Sequence, residues 1–119
     1  MNFEELQEKV LSWADDKDLL HVENADKQFM KFIEEVFEFK SELDMWMYGG
    51  DILKPINLEH VKDEMGDIFV TLIILCEQIG IDPEECLSMA YEKIKNRKGK
   101  TLHGNFYKQE DLEGMEWEK

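Results

Sequence analysis

The sequence predicts an all-α protomer of four helices, on three observations. Its 119 residues include 7 Gly and 2 Pro, too few for a turn-rich all-β domain. Apolar residues recur at helical spacing in four successive segments. Asp82, Pro83 and Glu85 together make the sharpest helix start in the chain.

The first helix is expected from about Asn2 to Ala14. Asn2 and Glu5 form an N-cap pair, and Phe3, Leu6, Val10 and Trp13 share one stripe. Asp15, Asp16, Lys17 and Asp18 then interrupt the apolar pattern and read as a connection. The second helix begins near Asn24 and reaches about Met47, with Phe29, Phe32, Ile33, Val36, Phe37, Leu43 and Met47 as its buried side. Residues Tyr48 to Asp51 end it, and a loop runs through Pro55. The third helix takes Asn57 as N-cap and stops before Gly80, the expected C′ residue. Its stretch from Ile68 to Cys76 is apolar on every face, and such a helix is buried on every face. A chain this small cannot enclose it alone, so a partner subunit is the economical explanation. The fourth helix has Asp82 as N-cap, Pro83 at N1, a stripe of Leu87, Ala90, Tyr91 and Ile94, and Gly99 as its closing residue. One domain over residues 1–104 is expected, followed by a mostly irregular C-terminal tail or arm at 105–119.

Charge narrows the function classes. Lys plus Arg number 14 and Asp plus Glu 28, for a net charge of −14. Nucleic-acid binding needs clustered positive charge, and adhesion to anionic lipid needs the same, so neither partner is expected. With 43% hydrophobic and 11% aromatic residues, the composition is globular. The N-terminus has no basic and apolar leader pattern, and the longest apolar run falls far short of the ~20 residues that span a bilayer. A soluble, cytoplasmic protein is expected. Cys76 and Cys86 make no C-x-x-C spacing and read as buried thiols of a reducing compartment.

Two carboxylate clusters carry the chemistry. Glu34, Glu35 and Glu38 lie on the second helix; Glu64 and Asp67 lie on the third. Residues three apart on a helix are neighbours, so Glu35/Glu38 and Glu64/Asp67 each form a pair. Antiparallel packing of the two helices would let four carboxylates converge. Flanking Ile33, Val36, Phe37, Met65, Ile68 and Phe69 put them at the edge of a core; the alternative is a solvated acidic face. Like charges this close need a cation between them, and hard oxygen donors suit Mg²⁺ or Mn²⁺. A di-iron bundle would need Glu-x-x-His, but Asp18, Asn57 and Lys100 stand three residues before the histidines. Zinc-type His or Cys spacing is missing too. An all-carboxylate site points to a divalent cation acting on a phosphorylated substrate. Phosphate-binding cations are then expected, and the segment Lys93 to Lys100 holds five of the chain's 14 basic residues. Its ordinary role would be to complement a helix C-terminus. Lys31 is a further candidate.

These motifs resemble the MazG-like all-α nucleoside triphosphate pyrophosphohydrolases. Glu34, Glu35 and Glu38, followed by Glu64 and Asp67, are similar to that family's E-E-x-x-E and E-x-x-D pair. Gln28 with Lys31, Gly66 with Asp67, the Gly80-Ile81-Asp82 junction, Lys93 with Arg97, and Gly104 to Lys108 extend the likeness over most of the chain. The resemblance implies an intertwined helical homodimer or homotetramer that cleaves a nucleoside triphosphate, with Mg²⁺ or Mn²⁺, to the monophosphate and pyrophosphate. It implies Glu35, Glu38, Glu64 and Asp67 as metal ligands, with Glu34 behind them or orienting the attacking water. Lys31, Lys93 and Arg97 would contact phosphates, and Asn96 sugar or phosphate. Trp13 and Trp46 are candidates for stacking on a base, against the plainer reading of Trp on an apolar stripe. Phe37 departs from the pattern, since many members carry Gly there, and a ring at that place would reshape the pocket. The rival reading is a non-catalytic acidic helical module that sequesters nucleotides or mimics nucleic acid.

Overall fold

A computed structural model describes residues 1–49 and 58–113. Five helices and one hairpin are described: α1 Phe3–Asp16, α2 Ala25–Tyr48, α3 Leu58–Gln78, α4 Pro83–Ile94, β1 Gly99–Leu102, β2 Asn105–Lys108 and α5 Gln109–Glu113. The loop expected through Pro55 and the Asn57 cap lie outside the described residues. The chain divides into two compact units, Met1–Pro83 and Glu84–Lys119.

In the first unit, local chemistry sets each boundary. The Asn2 side chain accepts the Glu5 N–H at 2.8 Å, satisfying a donor that α1 leaves unpaired. At the other end Asp18 adopts φ +58°, and the Leu19 N–H reaches the Ala14 carbonyl at 3.0 Å. This six-residue closure lets α1 run two residues beyond its expected end, through acids that read as a connection. A 3-10 turn, Val22–Asn24, leads into α2. The Gly80 cap is present: at φ +77° its N–H meets the Glu77 carbonyl, and the Ile81 N–H meets that of Cys76 at 2.9 Å.

Packing centres on α3, which α2 and α1 both contact. The α2–α3 pair is antiparallel. Gln28 near the start of α2 donates to the Thr71 carbonyl at 3.3 Å, whereas Glu38 and Glu42, further along, face Glu64. Phe3 of α1 meets Phe69 edge-on at 5.8 Å, and Gln78 donates to the Leu19 carbonyl at 2.8 Å. The buried apolar residues of this unit are Ala14, Ile73, Ile74 and Cys76. As expected of so small a chain, the described residues do not enclose α3 on every face: Phe69 is exposed, and Ile68, Val70, Leu72 and Leu75 are half-buried.

The second unit corrects three expectations. Gly99 does not close α4, which stops at Ile94, with the Arg97 N–H turning back to the Ile94 carbonyl at 3.0 Å. Gly99 instead opens β1, where a Cβ would collide with the Tyr107 carbonyl oxygen. The expected irregular tail is ordered through Glu113. His103 and Gly104, at φ +51° and +81°, make the two-residue turn whose twist matches a hairpin, and β1 pairs antiparallel with β2. Leu112 of α5 is buried beside this hairpin. Cys86 is exposed and not buried as expected, because α4 leaves even its apolar positions Leu87, Tyr91 and Ile94 open. Among the described residues, no helix is long and apolar enough to cross a membrane.

Candidate functional site

The antiparallel register of α2 and α3 brings Glu35 against Glu64 and Asp67. One carboxylate oxygen from each lies within 4.8 Å of the other two. Burial makes this cluster unlike a solvated acidic face. Glu35 is 9% exposed, and Glu64 and Asp67 are half-buried. Glu35 Oε2 and Glu64 Oε2 are buried without a hydrogen-bond partner among the described residues. A buried carboxylate oxygen with no partner is costly, so the arrangement is incomplete without a further group.

Electrostatics point the same way. Burial raises the Glu35 carboxyl above its ordinary value, and a hydrogen bond with Glu38 and the nearby charges of Glu38 and Asp67 raise it further. Lys31 offsets this in part, its Nζ lying 4.0 Å from Glu35 Oε1. Glu64 is raised first by burial, then by repulsion from Glu38, Asp67, Asp63 and Glu42. A divalent cation would offset both causes, since it gives the buried oxygens a charged partner and neutralises the repulsion. All-oxygen donors fit Mg²⁺ or Mn²⁺. Glu35, Glu64 and Asp67 therefore can hold such an ion.

The remaining predicted residues are placed as follows. Glu38 is exposed beside Glu35, outside the tight triad. Glu34 faces solvent with Lys31, 3.4 Å from its Nζ. Phe37 is 66% exposed, so its ring does not fill the space between the carboxylates. Trp13 lines an apolar groove of about 340 Å³ with Leu6, Lys9, Val10 and Val70, and half of it is exposed. Trp46 is exposed near the end of α2.

In the second unit, Lys93, Asn96 and Arg97 line one cleft of about 390 Å³. Sequence reasoning named them but missed the opposite wall, which the hairpin and the start of α5 supply through Lys108, Gln109 and Glu110. The available signal was His103-Gly104, a two-residue turn between segments of strand-forming residues.

Residues 27–102 match the MazG nucleotide pyrophosphohydrolase domain. The chain is also 33% identical over 81 residues to an uncharacterized 18.2 kDa protein from the rep-hol intergenic region of Haemophilus phage HP1. That match covers 68% of this chain and 44% of the phage protein, so the chain spans less than half of that relative's length. No solved structure matches significantly. The matched segment contains Glu35, Glu64 and Asp67 as well as Lys93, Asn96 and Arg97, and the chain belongs to the MazG nucleotide pyrophosphohydrolase domain family.

Proposed function

We propose that the protein is a Mg²⁺-dependent nucleotide pyrophosphohydrolase, with Mn²⁺ as an alternative ion, that converts ribo- or deoxyribonucleoside triphosphates to monophosphates and pyrophosphate. The observation that carries this reading is the triad Glu35, Glu64 and Asp67, with two buried, unpartnered oxygens, inside the family-matched segment. When bound, the divalent cation supplies Lewis-acid polarisation of a phosphate oxygen and lowers the pKa of an attacking water. The triad holds it, and Glu38 extends the ligand set from its place beside Glu35. Glu34 orients the water. The water oxygen would bond to the α-phosphorus and its proton pass to solvent, while the bond from that phosphorus to the α–β bridging oxygen breaks and pyrophosphate leaves with the electron pair.

The other residues position the substrate. Lys31, Lys93 and Arg97 offset charge on the phosphate chain, and Asn96 donates to phosphate or sugar. Trp13 offers its half-exposed ring to the base, and the apolar groove around it supports that role. A cytoplasmic homodimer or homotetramer is part of the same reading. The oligomer is supported by the exposed apolar side chains Phe69, Met45, Trp46 and Met47 on the α2–α3 pair.

A product assay over a panel of ribo- and deoxyribonucleoside triphosphates, resolving pyrophosphate from orthophosphate, tests the reaction. Monophosphate plus pyrophosphate is expected from wild type, and neither from Glu38→Gln. Orthophosphate as the product, or wild-type rates from Glu38→Gln, would overturn it.

A further inference from the structure

Gln28 and Lys31, three residues apart, lie on the face of α2 that carries Glu35. Gln28 clasps α3: its Nε2 donates to the Thr71 carbonyl at 3.3 Å, one helical turn from Asp67. Thr71 is buried, and its Oγ1 donates to the Ile68 carbonyl at 2.9 Å. The clasp therefore fixes this face of α2 against α3 two turns from Glu35. Lys31 is the residue between them. Its Nζ lies 3.4 Å from Glu34 Oε2 and 4.0 Å from Glu35 Oε1.

Counter-charge at the triad is one-sided. Among the described residues, Lys31 makes the only ion pair with any of Glu35, Glu64 and Asp67. Glu38 and Asp67 repel the charge of Glu35, and Lys31 offsets it. The charges felt at Glu64 are all acidic, from Glu38, Asp67, Asp63 and Glu42. Glu35 thus turns Oε1 toward a cation of the chain, while its Oε2 is buried without a hydrogen-bond partner among the described residues. The Lys31 side chain is 58% exposed, so charge holds it there and packing does not. A contact of that kind is readily exchanged.

We propose that Lys31 is an internal competitor of the divalent cation: its ammonium group holds Glu35 in the metal-free protein and yields that carboxylate when the cation binds. This rests on the reading of the triad as a cation site and adds what tunes its affinity. One ammonium group cannot neutralise Glu35 and a phosphate chain at once, so the contact of Lys31 with substrate follows cation binding.

Calorimetric titration of Mn²⁺ into the metal-free full chain, comparing wild type, Lys31→Met, Lys31→Arg and Lys27→Met, tests the role. Methionine keeps an unbranched side chain of high helix propensity and removes the charge. Lys31→Met should bind Mn²⁺ about two- to fivefold more tightly than wild type, the range expected of a solvent-exposed ion pair. That gap should narrow as salt rises, because screening weakens the competition. Lys31→Arg keeps the charge and should bind as wild type does. Lys27→Met removes the same charge one turn earlier on α2 and should also match wild type. Tighter binding is a sign that damage to the fold would not produce. If triphosphates are not hydrolysed but Lys31→Met binds Mn²⁺ more tightly, the hydrolase reading fails and the competitor stands. If hydrolysis is intact and Lys31→Met binds Mn²⁺ like wild type, the competitor fails alone. Weaker binding by Lys31→Met, or equal tightening by Lys27→Met, would also overturn it.

Discussion

The two units of this chain solve opposite electrostatic problems. In the first, carboxylates are driven together by the antiparallel register of two long helices and are partly withdrawn from water. In the second, cations gather on an exposed cleft between a helix end and a hairpin, with a single acid among them. Neither arrangement stabilises the fold by itself. Like charges held close cost free energy in both, more in the first, where burial strips solvent from the carboxylates. A divalent cation would relieve the first and an anion the second.

The largest test of this contrast is removal of a charge from the buried side. Glu35→Gln or Asp67→Asn should lower turnover by more than about a hundredfold, because even groups that only support metal ligands cost 10–100-fold when lost. Steady-state rates with Mg²⁺ held in excess measure it. A loss confined to KM at low metal would mean that the residue assists binding and not the reaction. On the exposed side the effect should be smaller. Arg97→Ala should cost about 10–100-fold in kcat/KM, as expected for loss of a hydrogen-bonded charge. An unchanged value would remove the cleft from catalysis.

The contrast also predicts a pH dependence. Glu35 and Glu64 both titrate above the ordinary value of 4.5, so the folded chain holds their protons more tightly than the unfolded chain. The stability these groups contribute is whole below 4.5 and is lost as pH rises through their raised folded-state values. In EDTA, Tm should therefore fall over that window, and Glu35→Gln should flatten the fall. Mg²⁺ should restore Tm at neutral pH and have little effect in acid, where the ligands are protonated. A metal-free Tm that rises across this window would contradict the assignment of burial as the main cause.

The smallest effect concerns Gly66, which sits inside α3 between Glu64 and Asp67. A Cβ there would meet nothing within 4 Å. Gly66→Ala should stabilise the metal-free protein by about 0.5–1 kcal/mol, the usual cost of Gly in a helix, as read by denaturant unfolding. If turnover falls while stability rises, the open space beside Gly66 belongs to a ligand.

The first unit was the more legible from sequence, for a physical reason. Caps and helix faces are local: Asn2 with Glu5, Gly80 at C′, and Pro83 at the start of α4 were read from neighbours in the chain, and the structure has all three boundaries. The pairing of Glu35 with Glu64 and Asp67 needed one further assumption, antiparallel packing, which a short connection enforces. Spacing could not give the rotation of that face, which buries Glu35 and leaves Glu38 exposed beside it. In the second unit the decisive contact is non-local. Gly99 was read as a helix stop because its need for a missing side chain arises from Tyr107, eight residues later. The cover of α3 was legible as a demand, from its apolar residues on every face, and the demand is unmet within this chain by Phe69 and the half-buried Val70 and Leu75.

The central claim is that the α2–α3 carboxylates form a divalent-cation site, and calorimetric titration of Mn²⁺ into metal-free wild type and Glu64→Gln at neutral pH tests it most directly. Saturable binding is expected for wild type, because a cation gives the clustered, partly buried carboxylates the counter-charge they lack. Glu64→Gln should lose that binding while keeping its helical spectrum. Equal binding by the two proteins, or no saturable binding by wild type, would contradict the account.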